Sequence, residues 1–276
     1  MVRVTLPESK LKKSRRRRRA VVAVLWLLAI ALVVGGIAGF AHLPHLRVVS
    51  VEVMGVEGTE AKAVEQTVRG HLAGSYALLF PHNNVVLYPR AAIVSDILQK
   101  HPTFASVEVR ATSLRALRVV VVERAPKALW CGGARAAPAP CLHLDLRGVA
   151  YEIAAEFEGP VYTKYYGALT DSALPRQYVR EEKFRSLTAL VGALEEQQGG
   201  KVASVEVDQA EDARLRFTSG FELIFALKDG GGDVFERFTL ALTAEPFEGR
   251  AVSDFEYLDL RFGDRLYYKL KGEPVP

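Results

Sequence analysis

Residues 20–41 read AVVAVLWLLAIALVVGGIAGFA, an apolar run without a charged residue. About 20 such residues are enough to cross a bilayer as an α-helix, which satisfies its own backbone hydrogen bonds in lipid. A cleaved signal peptide is the alternative, because residues 39–41 (GFA) resemble a small-residue cleavage site. The apolar core of a signal peptide usually has only about 7–15 residues. The length therefore favours a permanent anchor, predicted at residues 20–42, with the lipid bilayer as its partner.

The residues before this run are strongly basic. Residues 1–19 contain nine Lys or Arg and one acid, Glu8, for a net charge of +8. Because basic flanks stay in the cytoplasm, we expect a cytoplasmic tail at 1–19 and an extracytoplasmic chain after the anchor. Subtracting +8 from the total of +4 leaves −4 for residues 20–276. A mildly acidic body is not expected to bind nucleic acid.

The chain has two cysteines, Cys131 and Cys141, separated by a turn-rich linker, GGARAAPAP. On the outer side of the membrane, where disulfides persist, this pair is a possible disulfide at the base of a hairpin. Two unpaired thiols are the alternative. Zinc is not predicted, because the spacing is not C-x-x-C and no second Cys/His pair accompanies it.

The stretch after the anchor has the pattern of a small α+β domain, predicted at residues 46–125. Alternating valines in 47–55 indicate a strand. One helix is predicted from an N-cap at Thr59, and a second is predicted to open at Pro89. Two further strands are predicted at 106–111 and 117–123. The predicted order is therefore strand, helix, helix, strand, strand.

A β-rich domain is predicted at residues 126–271, followed by a short tail at 272–276. The longer helix is predicted at 181–198, and a second helix is predicted to end at Pro246. Residues 255–270 (FEYLDLRFGDRLYYKL) have the pattern of a β-hairpin. The predicted fold class is α+β, with one transmembrane helix, a β-α-α-β-β domain and a β-rich domain with helices on one side. The remaining predicted strands are 127–130, 142–146, 149–153, 202–207, 214–218 and 222–227.

Motifs of catalysis, cofactor binding and metal binding are lacking in the sequence. It has no G-x-S-x-G, no H-E-x-x-H and no P-loop, and its six histidines are scattered. Residues 229–233 (DGGGD) fit no phosphate-binding fingerprint and predict a turn. The acidic residues of 208–212 predict a solvated loop. We therefore expect a protein that is not an enzyme, with no catalytic, cofactor-binding or metal residues.

Four segments, in this order along the chain, match motifs of one protein family. Residues 49–55 (VSVEVMG) look like the opening strand of a POTRA domain, and 107–126, ending in ERAP, look like its closing hairpin and Glu-Arg-x-Pro motif. Residues 142–150 (LHLDLRGVA) resemble an Asp-x-x-Gly hairpin. Residues 257–262 (YLDLRF) resemble a late Asp-Leu-Arg-aromatic strand. Together with the predicted anchor, the sequence resembles the FtsQ/DivIB family of bacterial cell-division proteins nearly end to end.

The resemblance implies a non-enzymatic scaffold of the divisome, in the cytoplasmic membrane at the division septum. Its expected partners are membrane proteins of FtsB/DivIC and FtsL type, with FtsK-type and septal synthase proteins as further candidates. Through them it would coordinate septum formation with septal peptidoglycan synthesis. The sequence departs from the family in its cysteine pair and at 113–115, where Ser-Leu-Arg replaces the usual proline turn.

The partner-binding site is expected at the last strand pair. An exposed edge strand has unpaired N–H and C=O groups that an extended partner segment can complete. Arginine and aromatic residues are enriched among binding hot spots. The alternative is structural, with Leu258 and Leu260 in the core and the charged residues between them solvated or paired. The predicted partner-binding residues are Tyr257, Asp259, Arg261, Phe262, Gly263 and Tyr267.

The roles of two tyrosine pairs stay open, and so do two alternative functions. The pairs Tyr165-Tyr166 and Tyr267-Tyr268 either face a partner or lie half-buried in strands. A POTRA-like domain also serves as a chaperone or docking module in protein export, usually with repeated units or a barrel. A membrane-anchored cell-wall enzyme is the third function, and it needs a clustered catalytic set.

Overall fold

The structure is a computed structural model that describes residues 10–137, 139–155, 162–170, 173–245 and 247–273, with side chains from residue 17 onward. By its internal contacts the chain divides into two compact units, Met1–Glu123 and Arg124–Pro276. The fold is mixed α+β. The predicted domain boundaries stay predictions.

The first unit begins with one long helix, α1, at Lys10–Ala41. It continues without a break from the basic segment into the apolar run, and the side chains of residues 17–37 are exposed. Within the described residues, this is the one helix long and apolar enough to cross a membrane, over Arg17–Ala41. An exposed apolar surface of this length is unfavourable in water and favourable in lipid.

The rest of the first unit is a three-stranded sheet with two helices. The sheet order is β1-β5-β4, with β1 parallel to β5 and β4 antiparallel to β5. A second, two-stranded sheet pairs β2 with β3, which the sequence analysis did not predict. The elements are β1 Ser50–Met54, α2 Gly58–Leu72, β2 Ser75–Tyr76, β3 Phe80–Pro81, α3 Arg90–Lys100, β4 Phe104–Ser113 and β5 Ala116–Glu123.

The core of this unit lies between the helices and the three-stranded sheet. Val64, Val68 and Leu72 of α2 form the buried stripe expected from their spacing of four residues. The predicted helix start was wrong, because α2 begins at Gly58 and Glu57 occupies the N-cap position without a side-chain hydrogen bond. Thr59 therefore lies inside the first turn, where its hydroxyl cannot cap the helix.

In the described part of the second unit, ten strands form one sheet in the order β10-β8-β7-β6-β9-β11-β12-β13-β14-β15. Most neighbours are antiparallel, and β9 is parallel to both β6 and β11, as β13 is to β14. The strands are β6 Ala128–Trp130, β7 Leu142–Leu144, β8 Val149–Ile153, β9 Lys164–Tyr166, β10 Arg176–Gln177, β11 Val202–Val207, β12 Asp212–Phe217, β13 Glu222–Ala226, β14 Phe255–Phe262 and β15 Arg265–Leu270.

Two helices, α4 at Glu181–Gln198 and α5 at Gly231–Thr243, pack against each other and share one hydrophobic core with the sheet. The buried stripe of α4 is the one its sequence predicts. The DGGGD segment is not only a turn, because α5 already begins at Gly231. A Cβ at this glycine would lie 2.7 Å from the Ser186 carbonyl oxygen of α4, so only glycine fits there. The helix ends at Thr243, and Pro246 lies outside the described residues.

Cys131 and Cys141 are joined by a disulfide that links the end of β6 to the start of β7. Cys131 is buried with Leu129 and Tyr166 in a small separate cluster. The cross-link therefore holds a hairpin whose ten-residue separation includes the Ala- and Pro-rich linker.

Replacing both cysteines with serine is expected to destabilise the second unit by roughly 2–3 kcal/mol, because the unfolded chain regains the entropy of an open loop. Hydrogen exchange of the full chain in detergent measures this as weaker protection of β6 and β7. Unchanged protection in the double-serine variant would contradict a stabilising role for the disulfide.

Candidate partner-binding edge

The outer edge of β15 is the last edge of the ten-stranded sheet, and no described strand pairs with it. On its inner side β15 pairs antiparallel with β14. The pairing runs from Leu270, opposite Phe255, to Arg265, opposite Phe262. The Lys271 N–H donates to the Asp254 carbonyl at 2.9 Å, so this residue points its backbone groups inward. Inward and outward groups alternate along an antiparallel strand. The N–H and C=O of Tyr268 and Leu266 therefore point outward.

Two exposed aromatic side chains lie at the hairpin turn beside this edge. Phe262 and Tyr267 are 52% and 49% exposed, and their ring centroids lie 5.0 Å apart in an edge-to-face arrangement. Gly263 begins the two-residue turn between the strands with φ +64, a conformation that glycine adopts without strain. The turn therefore presents both rings together on the surface.

Arg261 is held by an internal network of two carboxylates. Its guanidinium contacts Asp259 Oδ2 at 2.6 Å and Asp212 Oδ2 at 2.8 Å. The hydrogen bonds that Arg261 donates to Asp259 first, and then to Asp212, raise the pKa of Arg261 above its usual value. Asp259 is buried, although it lies on a strand face predicted to be solvated or paired. The pairing found here supports the structural alternative for these two charged residues.

The Arg261 network also supports one of the aromatic anchors. The guanidinium carbon lies 5.4 Å from the centre of the Phe262 ring, within the range of a cation–π contact. A recess of about 270 Å³ adjoins them, lined in part by Asp212, Lys228 and Phe262. Arg261 thus contacts the Phe262 ring and lines the recess. Its charge is already balanced within the protein by Asp259 and Asp212.

The six predicted site residues do not form one surface. Phe262, Gly263 and Tyr267 lie close together at the turn, and the Arg261 guanidinium lies over the Phe262 ring. Asp259 is buried and Tyr257 lies half-buried in the middle of β14. A partner-binding role for these two residues stays a prediction.

Two features of this region were not predicted from the sequence. The acidic 208–212 segment is not simply solvated: Asp212 binds Arg261, and Asp208 Oδ1 accepts two backbone N–H groups at 2.9 Å. Tyr268 was grouped with Tyr267, yet its ring packs 4.6 Å from Phe247. Strand alternation, which puts neighbours on opposite faces, was the signal that separates the two tyrosines.

Two further sequence motifs contact each other at Arg124. Arg124, of the ERAP motif, forms an ion pair with Asp145, of the Asp-x-x-Gly motif, and both side chains are buried. Asp145 Oδ1 also accepts the N–H groups of Arg147 and Val149 at 2.8 and 2.9 Å. The two motifs therefore form one structural unit that fixes the β7–β8 turn.

Among the described residues, no group of three or more His, Cys, Asp or Glu side chains is arranged to hold a metal ion. Strongly raised pKa values occur at tyrosines for a structural reason: burial raises the pKa of Tyr151 to about 12 and that of Tyr165 further. Tyr165 and Tyr166 are both buried in β9, so the hypothesis that this pair faces a partner was wrong.

No protein-family model matches the chain, and no curated protein matches it.

Proposed function

We propose that this protein is a membrane-anchored, non-enzymatic scaffold of the FtsQ/DivIB type, which binds extended segments of FtsB/DivIC- and FtsL-type partners at the division septum. The order of its parts supports this proposal: a helix able to cross a membrane, a β-α-α-β-β unit, and a sheet-rich unit with two helices. In this proposal residues 1–19 lie in the cytoplasm, the apolar part of α1 crosses the membrane, and the rest of the chain after α1 lies on the outer side.

The first unit has the features we attribute to a POTRA domain. Its strand order, β1-β5-β4, puts the first strand beside the last, and both helices cover one core. Gly55 directly follows β1, and Glu123, the first residue of the ERAP segment, is the last residue of β5. These similarities support the POTRA assignment, which would give the protein a docking unit near the membrane.

The single observation that best supports partner binding is the unpaired outer edge of β15 with Phe262 and Tyr267 beside it. An extended segment can continue the sheet there, since outward N–H and C=O groups supply the main-chain hydrogen bonds. The two rings supply apolar contact area that is typical of binding hot spots. Removing one hot-spot side chain costs at least about 2 kcal/mol of binding free energy. The sheet edge would give affinity, and the rings would give specificity.

Photo-crosslinking in cells of the source organism tests this proposal directly. A photoreactive amino acid replaces Phe262, and a matched control replaces Ile153, which is also exposed but lies on β8 near the opposite edge of the sheet. We expect position 262 to capture a small single-pass protein with a coiled-coil segment, and position 153 not to capture it. Capture of exported chains at 262 would contradict the proposal and favour the export function.

A further inference from the structure

The hairpin formed by β2 and β3 has an exposed apolar tip. Leu78 is 93% exposed, and Leu79 beside it is about half exposed. Isolated exposed leucines are common, but Ala77 and Leu78 also have φ values of +47 and +64. Residues other than glycine rarely adopt this left-handed backbone conformation, and backbone strain of this kind is often found at functional sites. The turn therefore holds a large apolar side chain outward at an energetic cost.

This hairpin lies at the C-terminal end of α1. Strand β3 packs against α1, and the Asn84 side-chain amide donates to the carbonyl oxygen of Ala41, the last residue of α1, at 2.9 Å. Both groups of that bond are buried. The Val85 N–H donates to the Leu46 carbonyl at 2.8 Å, which ties the loop to the chain leaving α1. The hairpin is thus fixed where the apolar run ends.

Other large apolar side chains are exposed around the same place. Phe40 belongs to the last turn of α1, and Leu43 lies two residues beyond the end of this helix. Val86 lies two residues from Asn84, with 73% of its surface exposed. Where an apolar transmembrane helix ends, the surroundings change from hydrocarbon to headgroups. Apolar and aromatic side chains are favourable at that level, where one end is apolar and the other is wet.

We propose that the β2–β3 hairpin inserts its tip, with Leu78 and Leu79, into the outer leaflet of the bilayer beside α1. This inference rests on the proposed membrane anchoring by α1. The backbone of the turn can tolerate the interface, because the Leu79 N–H donates to the Tyr76 carbonyl at 3.0 Å and the His82 N–H to the Gly74 carbonyl at 2.9 Å. Insertion gives the first unit a second attachment to lipid, which restricts its rotation about the end of α1.

The test uses the full chain in vesicles of phosphatidylethanolamine and phosphatidylglycerol, without any other protein. A maleimide spin label is attached in three separate variants, Leu78→Cys, Ile30→Cys and Val122→Cys, with the native disulfide intact. Ile30 lies in the middle of α1 and reports the anchor. Val122 is also an exposed apolar residue, near the C-terminal end of β5. It lies roughly 20 Å along the strand from Ala116, which pairs with the first residue of β1. Collision rates with oxygen and with a water-soluble nickel chelate report the depth of each label.

We expect labels at 30 and 78 to collide several-fold more often with oxygen than with the nickel chelate, and the label at 122 to show the reverse. A label at 78 that behaves like the one at 122, with 30 in the hydrocarbon, would overturn the inserted hairpin and leave the anchor intact. A label at 30 that is open to the nickel chelate would overturn the anchor and this inference together. Lipid contact at both 78 and 122 would also contradict a hairpin-specific insertion.

Discussion

Gly55→Ala is expected to unfold the first unit in much of the population, with a loss of more than about 4 kcal/mol of unfolding free energy. Gly55 follows β1 with φ +94, and an added Cβ would overlap the Val121 carbonyl oxygen and lie 3.0 Å from its carbonyl carbon. Both contacts are with the backbone of β5, which is itself paired on both sides. The strand cannot move away without breaking the sheet.

Gly58→Ala is the matched control for this prediction. Gly58 also has a positive φ, +65, but an added Cβ there would meet no atom within 4 Å. Gly58→Ala should cost only the strain of a Cβ in the left-handed conformation, about 1–2 kcal/mol. Hydrogen exchange of β1 and β5 amides in the full chain measures both variants, and equal losses at the two glycines would contradict the steric explanation.

Arg124→Ala is expected to destabilise the second unit by about 3–5 kcal/mol, because it leaves the Asp145 carboxylate buried without its counter-charge. The two side chains are only 9% and 7% exposed. The destabilisation should extend to the β7–β8 turn, because backbone N–H groups of this turn donate hydrogen bonds to Asp145. The measurement is hydrogen exchange of β7, β8 and α4 in the full chain.

The control is Arg185→Ala, which removes an arginine from an exposed pair with Glu181 in the same unit. Such surface pairs contribute less than about 1 kcal/mol, since solvent screens them. If both arginine variants lost the same small amount, the Arg124–Asp145 pair would not be a stabilising contact of the fold.

Local patterns predicted much of this fold. The spacing of Phe184, Leu187, Val191 and Leu194 predicted the buried face of α4, and the strands predicted at 149–153 and 202–207 have the bounds of β8 and β11. Each of these signals depends on one face of one element. The DGGGD run was harder, because its need for glycine arises from the backbone of a distant helix, at Ser186.

Long-range pairing was beyond such patterns. Strands β9 and β10 have only three and two residues, too few for a periodic signal, and β9 pairs in parallel with strands far away in sequence. The contact between Arg261 and Asp212 joins residues 49 positions apart. The hairpin at 255–270 and the exposure of its turn were predictable, whereas the burial of Asp259 depended on this distant partner.

The central claim is that a partner segment pairs with the outer edge of β15, and a proline at Tyr268 tests it most directly. Proline removes the outward N–H of that residue and no hydrogen bond to β14, and proline is tolerated on edge strands. Tyr268→Ala is the control, because it loses the same ring contact with Phe247 and keeps the N–H. Hydrogen exchange of β14 checks that both variants stay folded.

The measurement is capture of the partner by the photoreactive group at position 262, compared between the Tyr268→Pro and Tyr268→Ala backgrounds in cells. The strand-pairing mechanism predicts that Tyr268→Ala keeps most of the capture and Tyr268→Pro loses it. Equal capture in the two backgrounds, or equal loss in both, would contradict partner binding through the edge of β15.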